Sequence, residues 1–235
     1  SLVSWQADQK KNGGDDKMKT ALVTDGKYRS SIAAVRALHR AGYRVVVTQT
    51  RADVKSAPAV SVSKSCDDFR WIDGACADAD YAEKLLSILK EYEHPVLFCV
   101  GAVTLNTVAA RREEFAALAN FLIAPKETLD ALNDKESVHQ RALELGIPVP
   151  REYDGTPESY PVVVKPPDGG SALGLSRPAP PDPLRAAMVD AFAYGERIRI
   201  ERFVAGREIA VSVLDLEEGP QALPPVEIVT DDGDY

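Results

Sequence analysis

A lysine closes an apolar strand in Val162-Val163-Val164-Lys165-Pro166, and a loop with three glycines and a serine in seven positions follows, Asp168-Gly169-Gly170-Ser171-Ala172-Leu173-Gly174. An ammonium at such a strand end is partly desolvated, and the backbone N–H groups of a glycine-rich loop can approach phosphate oxygens closely. Thirty-six residues after Lys165 comes Glu201-Arg202-Phe203-Val204-Ala205-Gly206-Arg207-Glu208, in which two acids flank an apolar, glycine-containing connection. Carboxylates so spaced can accept hydrogen bonds from separate donors on one ligand, such as an adenine amino group and ribose hydroxyls. Each feature has an ordinary counterpart: a lysine leaving a sheet for water, a hairpin loop, a hairpin with charged ends. Their co-occurrence carries the functional reading.

Other chemistries lack their residues. The chain contains neither G-x-G-x-x-G nor G-x-x-x-x-G-K-[ST], so the dinucleotide fingerprint and the P-loop are both absent. Ser171 stands in no G-x-S-x-G elbow and has no histidine near it in sequence, which makes it a loop hydroxyl rather than a nucleophile. Cys66, Cys76 and Cys99 form no C-x-x-C pair and suit reduced thiols, while His39, His94 and His139 lie too far apart to suggest a metal cluster. With 28 Lys and Arg against 36 Asp and Glu, a net charge of −8, phosphate-backbone binding to nucleic acid is disfavoured. No apolar run approaches the roughly 20 residues of a membrane span, and no signal-peptide core opens the chain, so a cytoplasmic protein without membrane contact is expected.

The elements that must position these residues follow from periodicity. Residues 1–17 are polar and aperiodic and read as a leader or an added segment ahead of Met18. Ala21-Leu22-Val23 is a strand ending at Thr24-Asp25-Gly26; Ser30 could cap a helix carrying Ile32, Val35, Leu38 and Ala41, which Gly42 ends; Tyr43 to Val47 is the next strand. Strand, helix and strand within about 30 residues make a βαβ unit and imply a parallel sheet. Asp80 with Glu83 resembles a capping box before Tyr81, Leu85, Leu89 and Tyr92. Val96 to Val100 is a buried strand, Thr104 opens a helix bearing Leu105, Val108, Arg112 and Phe115, and Phe121 to Ile123 continues the alternation. The turns at Thr24-Asp25-Gly26 and Gly101-Ala102-Val103-Thr104 would face the carboxyl edge of the sheet, as plain turns or as substrate contacts.

Asn133-Asp134-Lys135 precedes a helix with Val138, Ala142 and Leu145 on one face, stopped by Gly146 and Pro148. Beyond Pro150 the texture changes to short strands at 161–165, 198–202, 209–214 and 223–228, with a proline-led helix at 184–192. This second region is expected to be an α+β domain with a largely antiparallel sheet.

In this order, Val-Val-Val-Lys-Pro, Gly-Gly-Ser-x-x-Gly, Glu-x-x-x-x-Gly-x-Glu and Leu223-Pro224-Pro225-Val226-Glu227-Ile228 resemble the ATP-grasp superfamily of carboxylate–amine ligases. Asp134-Lys135 and Gly146-Ile147-Pro148-Val149-Pro150 resemble the segment that precedes its ATP-binding subdomain. The resemblance runs from about Met18 to the end. It implies an α/β fold: a leader at 1–17, a Rossmann-like parallel-sheet pre-ATP-grasp domain at 18–125, and an α+β ATP-grasp domain at 126–235.

It also implies roles. Lys135 and Lys165 would hold ATP phosphates, with Lys165 and Ser171 as the catalytic candidates, and Gly169, Gly170, Ser171 and Gly174 would form a mobile lid. Glu201 and the backbone of Arg202 and Val204 would meet the adenine edge beside Phe203, and Glu208 would bind the ribose. The family's magnesium-binding acids and asparagine lie downstream of Ile228. The ATP-grasp domain is therefore expected to be truncated at its C-terminus, and Asp231, Asp232 and Asp234 to be a solvated loop, with no metal residue assigned.

The implied function is ATP-dependent carboxylate–amine ligation through an acylphosphate, with ATP and Mg²⁺ as cofactors and small carboxylates and amines as substrates. The resemblance allows a homodimer, although no apolar stripe identifies an interface. Glu201 to Ile228 is similar to D-alanine-D-alanine ligases, whereas Thr24-Asp25-Gly26 and the region around Gly101 resemble carbamoyl-phosphate-synthetase-type proteins; the broad assignment is preferred. Two other readings stand beside it: a non-catalytic ATP-binding regulatory module, and an α/β protein whose glycines and glutamates only make turns.

Overall fold

A computed structural model describes residues 18–166, 175–178, 184–194, 197–216 and 218–229. The chain forms two compact units that divide after Leu129. In the first, β1 (Thr20–Val23), β2 (Arg44–Thr50), β3 (Asp68–Ile72) and β4 (Val96–Phe98) pair in parallel in the order β3-β2-β1-β4. Six of the seven residues of β2 are buried, as expected of a strand covered on both faces of a parallel sheet.

Alternate residues of these strands serve two cores. Leu22, Val46 and Leu97 pack with Leu85 and Leu89 of α2 (Tyr81–Leu89), Val108 of α3 (Ala102–Ala110) and Phe115 of α4 (Arg112–Ala116). Val23, Val45 and Val47 instead pack with Val35 of α1 (Arg29–Arg40) and with Val60 of a short 3-10 turn, Ala59–Val62. The period-two geometry of a strand separates the sets, and the helices cover opposite faces of the sheet.

The strand order turns between β1 and β4, the point where the crevice of an open α/β sheet lies. Here both turns singled out in the sequence meet. Asp25, buried and left-handed at φ 57°, accepts hydrogen bonds from Gly101 N–H at 2.8 Å, from Thr104 Oγ1 at 3.0 Å and from Thr24 Oγ1. Because the single Thr104 proton points to Asp25, Tyr81 donates in the 2.9 Å Tyr81–Thr104 contact. A Cβ on residue 101 would stand 2.7 Å from the Asp25 carboxyl carbon, so glycine is required for this approach. Burial, and secondarily the Asp25 charge, pushes the Cys99 thiol at the end of β4 up to about 12. The Asp25 carboxylate thus joins two turns. Replacing Asp25 by alanine strands these buried donors and is expected to cost about 2–3 kcal/mol in urea unfolding followed by circular dichroism. A loss below about 0.5 kcal/mol would show that the donors find other partners.

The second unit begins within α5 (Lys126–Asn133) and continues with α6 (Lys135–Glu144), β5 (Val162–Lys165), α7 (Leu184–Phe192) and β6 (Arg199–Arg202). β5 and β6 pair antiparallel, flanked by bridges from Ser176 to Val164 and from Glu152 to Glu201. Val162, Val164 and Ile200 cover Ala187 and Ala191 of α7 in a small core. β7 (Glu208–Ala210) pairs with β10 (Val226–Ile228), and β8 (Val213–Leu216) with β9 (Gly219–Ala222).

Several expectations change. The strand expected at 209–214 divides between β7 and β8, which belong to different two-stranded sheets; the pairing is antiparallel as anticipated, but in three separate ladders. Residues 121–123 form no strand; Phe121 and Ile123 pack against the core from a loop. β3 was not apparent in the sequence because Asp68 and Arg70 interrupt its apolar pattern at an edge. Ser30 does not cap α1, whose N-cap is Tyr28, and Asp80 makes no capping bond but pairs with Lys84 at 2.9 Å. Thr104 lies inside α3 rather than opening it, and the helix expected to carry both Val108 and Phe115 breaks at Arg111. Gly42 and Gly146, at φ +86° and +68°, end their helices as read.

Candidate functional site

Antiparallel pairing sets the site. In the register of β5 and β6, Val163 faces Glu201 and Lys165 faces Arg199. Directly opposed residues share a face, so Lys165, Arg199 and Glu201 stand on one side while Val162, Val164 and Ile200 stand on the core side. Two cations facing each other would repel; Glu201, diagonal to Lys165, resolves the conflict. Its Oε2 lies 2.6 Å from Lys165 Nζ and its Oε1 3.2 Å from Arg199 Nε.

Two further carboxylates close on the same guanidinium. Arg199 Nη1 donates to Glu136 at 2.8 Å and Nη2 to Glu152 at 2.9 Å. Glu152 arrives because residues 151–153 run beside β6: Tyr153 N–H donates to Ile200 O and Arg202 N–H to Arg151 O, each at 2.8 Å. Glu136 arrives on the first turn of α6, which Asp134 caps by accepting from Glu136 N–H at 3.0 Å. The Ser137 hydroxyl, then that N–H, holds the Asp134 carboxyl below the usual carboxylate range. Next to Glu136, Lys135 Nζ donates to Pro166 O at 3.2 Å, one residue beyond Lys165.

Above this layer lies a cleft of about 280 Å³, with Lys165, Arg199 and Glu201 on one wall and Lys135, Val138 and Ala142 of α6 on another. Val138, Ala142 and Leu145 were expected on one face of α6; none of that helix is buried, and Val138 and Ala142 line the cleft. An apolar wall opposite a row of charges suits a ligand with a flat apolar body and a charged tail. Among the described residues no group of three His, Cys, Asp or Glu could hold a metal ion. The three carboxylates around Arg199 already enclose a cation.

The structure therefore brings Lys135, Lys165 and Glu201 together. Arg202 and Val204 are exposed, Phe203 lies under the Arg177 guanidinium at 4.7 Å, and Glu208 begins β7; none of these four is among the residues lining the cleft. Gly169, Gly170, Ser171 and Gly174 lie outside the described residues. Arg199, Glu136 and Glu152 were missed as candidates, although Arg197-Ile198-Arg199-Ile200-Glu201 alternates charged and apolar residues and so assigns Arg199 to the face of Glu201.

Residues 154–235 match the family model described as the C-terminus of D-ala D-ala ligase. Through this match the chain is similar in sequence to D-alanine--D-alanine ligases. Among its relatives is the D-alanine--D-alanine ligase of Desulforudis audaxviator, 30% identical over 210 residues, which cover 88% of this chain and 62% of the relative. Two solved structures share the fold at 16% identity: D-alanine-D-alanine ligase from Helicobacter pylori, with a TM-score of 0.55 over 90% of this chain and 71% of that one, and the biotin carboxylase domain of 2-oxoglutarate carboxylase from Hydrogenobacter thermophilus, with a TM-score of 0.60 over 90% and 50%. The chain spans less than two thirds of the length of the first curated relatives it matches.

Proposed function

We propose that this protein is an ATP-dependent carboxylate–amine ligase. The observation that carries the reading is the convergence of Lys135, Lys165 and Glu201 on one cleft of a chain whose C-terminal part matches a ligase family. The two ammonium groups would neutralise the polyphosphate as point charges, and Glu201 would accept a hydrogen bond from the adenine amino group. The backbone of Arg202 and Val204, with Phe203, would complete the base site, Glu208 would bind the ribose, and Gly169, Gly170, Ser171 and Gly174 would cover the phosphates.

In the reaction a substrate carboxylate oxygen attacks the γ-phosphorus and ADP departs, giving an acylphosphate. The amine nitrogen then attacks the acyl carbon, phosphate leaves, and an amide forms with loss of a proton. The chain contributes positioning and charge neutralisation rather than a covalent nucleophile. Magnesium is expected with ATP, as in the neighbour solved with MgADP; among the described residues no group of three His, Cys, Asp or Glu could hold it. The proposal includes an N-terminal pre-ATP-grasp domain at 18–125 and an ATP-grasp domain at 126–235, and it retains a likeness to carbamoyl-phosphate-synthase-type ligases around Thr24-Asp25-Gly26. It further includes small carboxylate and amine substrates, a homodimeric assembly and a cytoplasmic location; among the described residues no helix is long and apolar enough to cross a membrane.

The D-alanine--D-alanine ligase relatives make D-alanine the first substrate to try. The test is ADP release with Mg-ATP and a panel of amino acids and other carboxylates, with and without amines. Release with D-alanine alone is expected if the chain shares the activity named for those relatives, and release only with another acid and amine supports the broader ligase. ATP binding without release on any pair would replace the ligase by a regulatory nucleotide-binding module.

A further inference from the structure

We infer that Arg199 is a positioning residue for nucleotide selection, holding Glu201 as an anchored acceptor for the base while Lys165 turns from Glu201 to the phosphates. The inference rests on the proposed ATP-binding role of the cleft and goes beyond it by assigning a residue that no motif includes. Its first support is the partnership of Glu201. One carboxylate oxygen is held by Lys165 at 2.6 Å and the other by Arg199 at 3.2 Å. Polyphosphate draws the Lys165 ammonium toward itself, which weakens its contact with Glu201 and leaves Oε2 open as an acceptor. Among the described residues, Arg199 is the partner that then still holds the carboxylate.

The second support is how Arg199 is itself held. Its side chain is 4% exposed, and its three nitrogens point in three directions, to Glu201 on its own strand, Glu152 on the adjacent segment and Glu136 on α6. A planar guanidinium can donate along all three directions at once; an ammonium on a flexible stem cannot hold three carboxylates in that geometry. A carboxylate fixed in this way accepts from the exocyclic amine of adenine and repels the carbonyl oxygen at the same place in guanine. Arg199 would therefore act on the choice of base and not on phosphate binding.

Loss of the guanidinium in Arg199→Leu risks unfolding the layer, so the test uses Arg199→Lys, which keeps the charge and loses the fork. Binding of ATP, GTP and inorganic tripolyphosphate to the 235-residue chain is measured by calorimetry for wild type, Arg199→Lys, Glu201→Ala and the double variant, with folding checked by circular dichroism. Wild type is expected to prefer ATP to GTP, and Arg199→Lys to lower that preference by roughly tenfold, the scale of one charged hydrogen bond, while tripolyphosphate affinity stays within about threefold. In the Glu201→Ala background Arg199→Lys should leave the preference unchanged, because Arg199 acts through Glu201. The inference is overturned if Arg199→Lys keeps the preference within about twofold, weakens tripolyphosphate as much as ATP, or acts equally without Glu201. Failure of wild type to bind ATP would instead remove the ATP-binding reading together with everything resting on it.

Discussion

Replacing Lys165 by alanine is expected to weaken ATP binding by roughly 10- to 150-fold, the range spanned by hydrogen bonds to charged groups at about 1.5–3 kcal/mol. Lys165 closes β5 with its side chain about one quarter exposed, so its ammonium is partly desolvated yet reachable from the cleft. Stability should fall less than on loss of Arg199, because the buried Glu201 loses one partner but keeps its bond to Arg199. Calorimetric titration with Mg-ATP checks the prediction, with Glu208→Ala as a companion variant for the ribose contact. Affinity within about twofold of wild type in both variants would count against the site assignment.

Arg199→Leu should destabilise the second unit by about 3 kcal/mol, the low end for breaking a buried charge network. The low end applies because Glu136 and Glu152 are 41% and 37% exposed and can turn to water, and because Glu201 keeps Lys165. Glu201, at 8% exposure, cannot turn away as easily. The effect is read by hydrogen exchange: the amides of β5 and β6 should exchange roughly 100-fold faster, since about 1.4 kcal/mol corresponds to tenfold. The amides of β1 and β2 belong to the other compact unit and serve as the internal reference. Acceleration of less than about fivefold in β5 and β6 would mean that the guanidinium is not what holds the layer together.

Legibility in the sequence followed the range of the interactions. α6 was readable at both ends because Asp134 caps it through a bond to Glu136 N–H two residues away and Gly146 ends it by its own φ of +68°. β1 and β2 were readable because their valines and leucines are buried on both faces, so burial appears as a continuous apolar run. β3 was not, since at the sheet edge Asp68 and Arg70 are tolerated and pair with each other at 2.8 Å. The strand expected at 209–214 broke because apolar residues alone do not say which partner a strand will take; β7 chose β10 and β8 chose β9.

For the site the same division holds. The amino-acid order by itself determined the ligase resemblance and the candidates Lys165 and Glu201, because a strand-end lysine and the acid of the return strand are marked by their immediate neighbours. It also determined the parallel-sheet character of the first region, through the spacing of strand, helix and strand. Tertiary structure alone decided that Asp25 joins the turns after β1 and β4, 76 residues apart, and that Arg199 gathers Glu136 and Glu152 from 63 and 47 residues away. A charged residue that will be buried looks in sequence like one that will be solvated. Only folding brings the opposite charges within 3 Å of Arg199 Nη1 and Nη2, where their attraction offsets the loss of water.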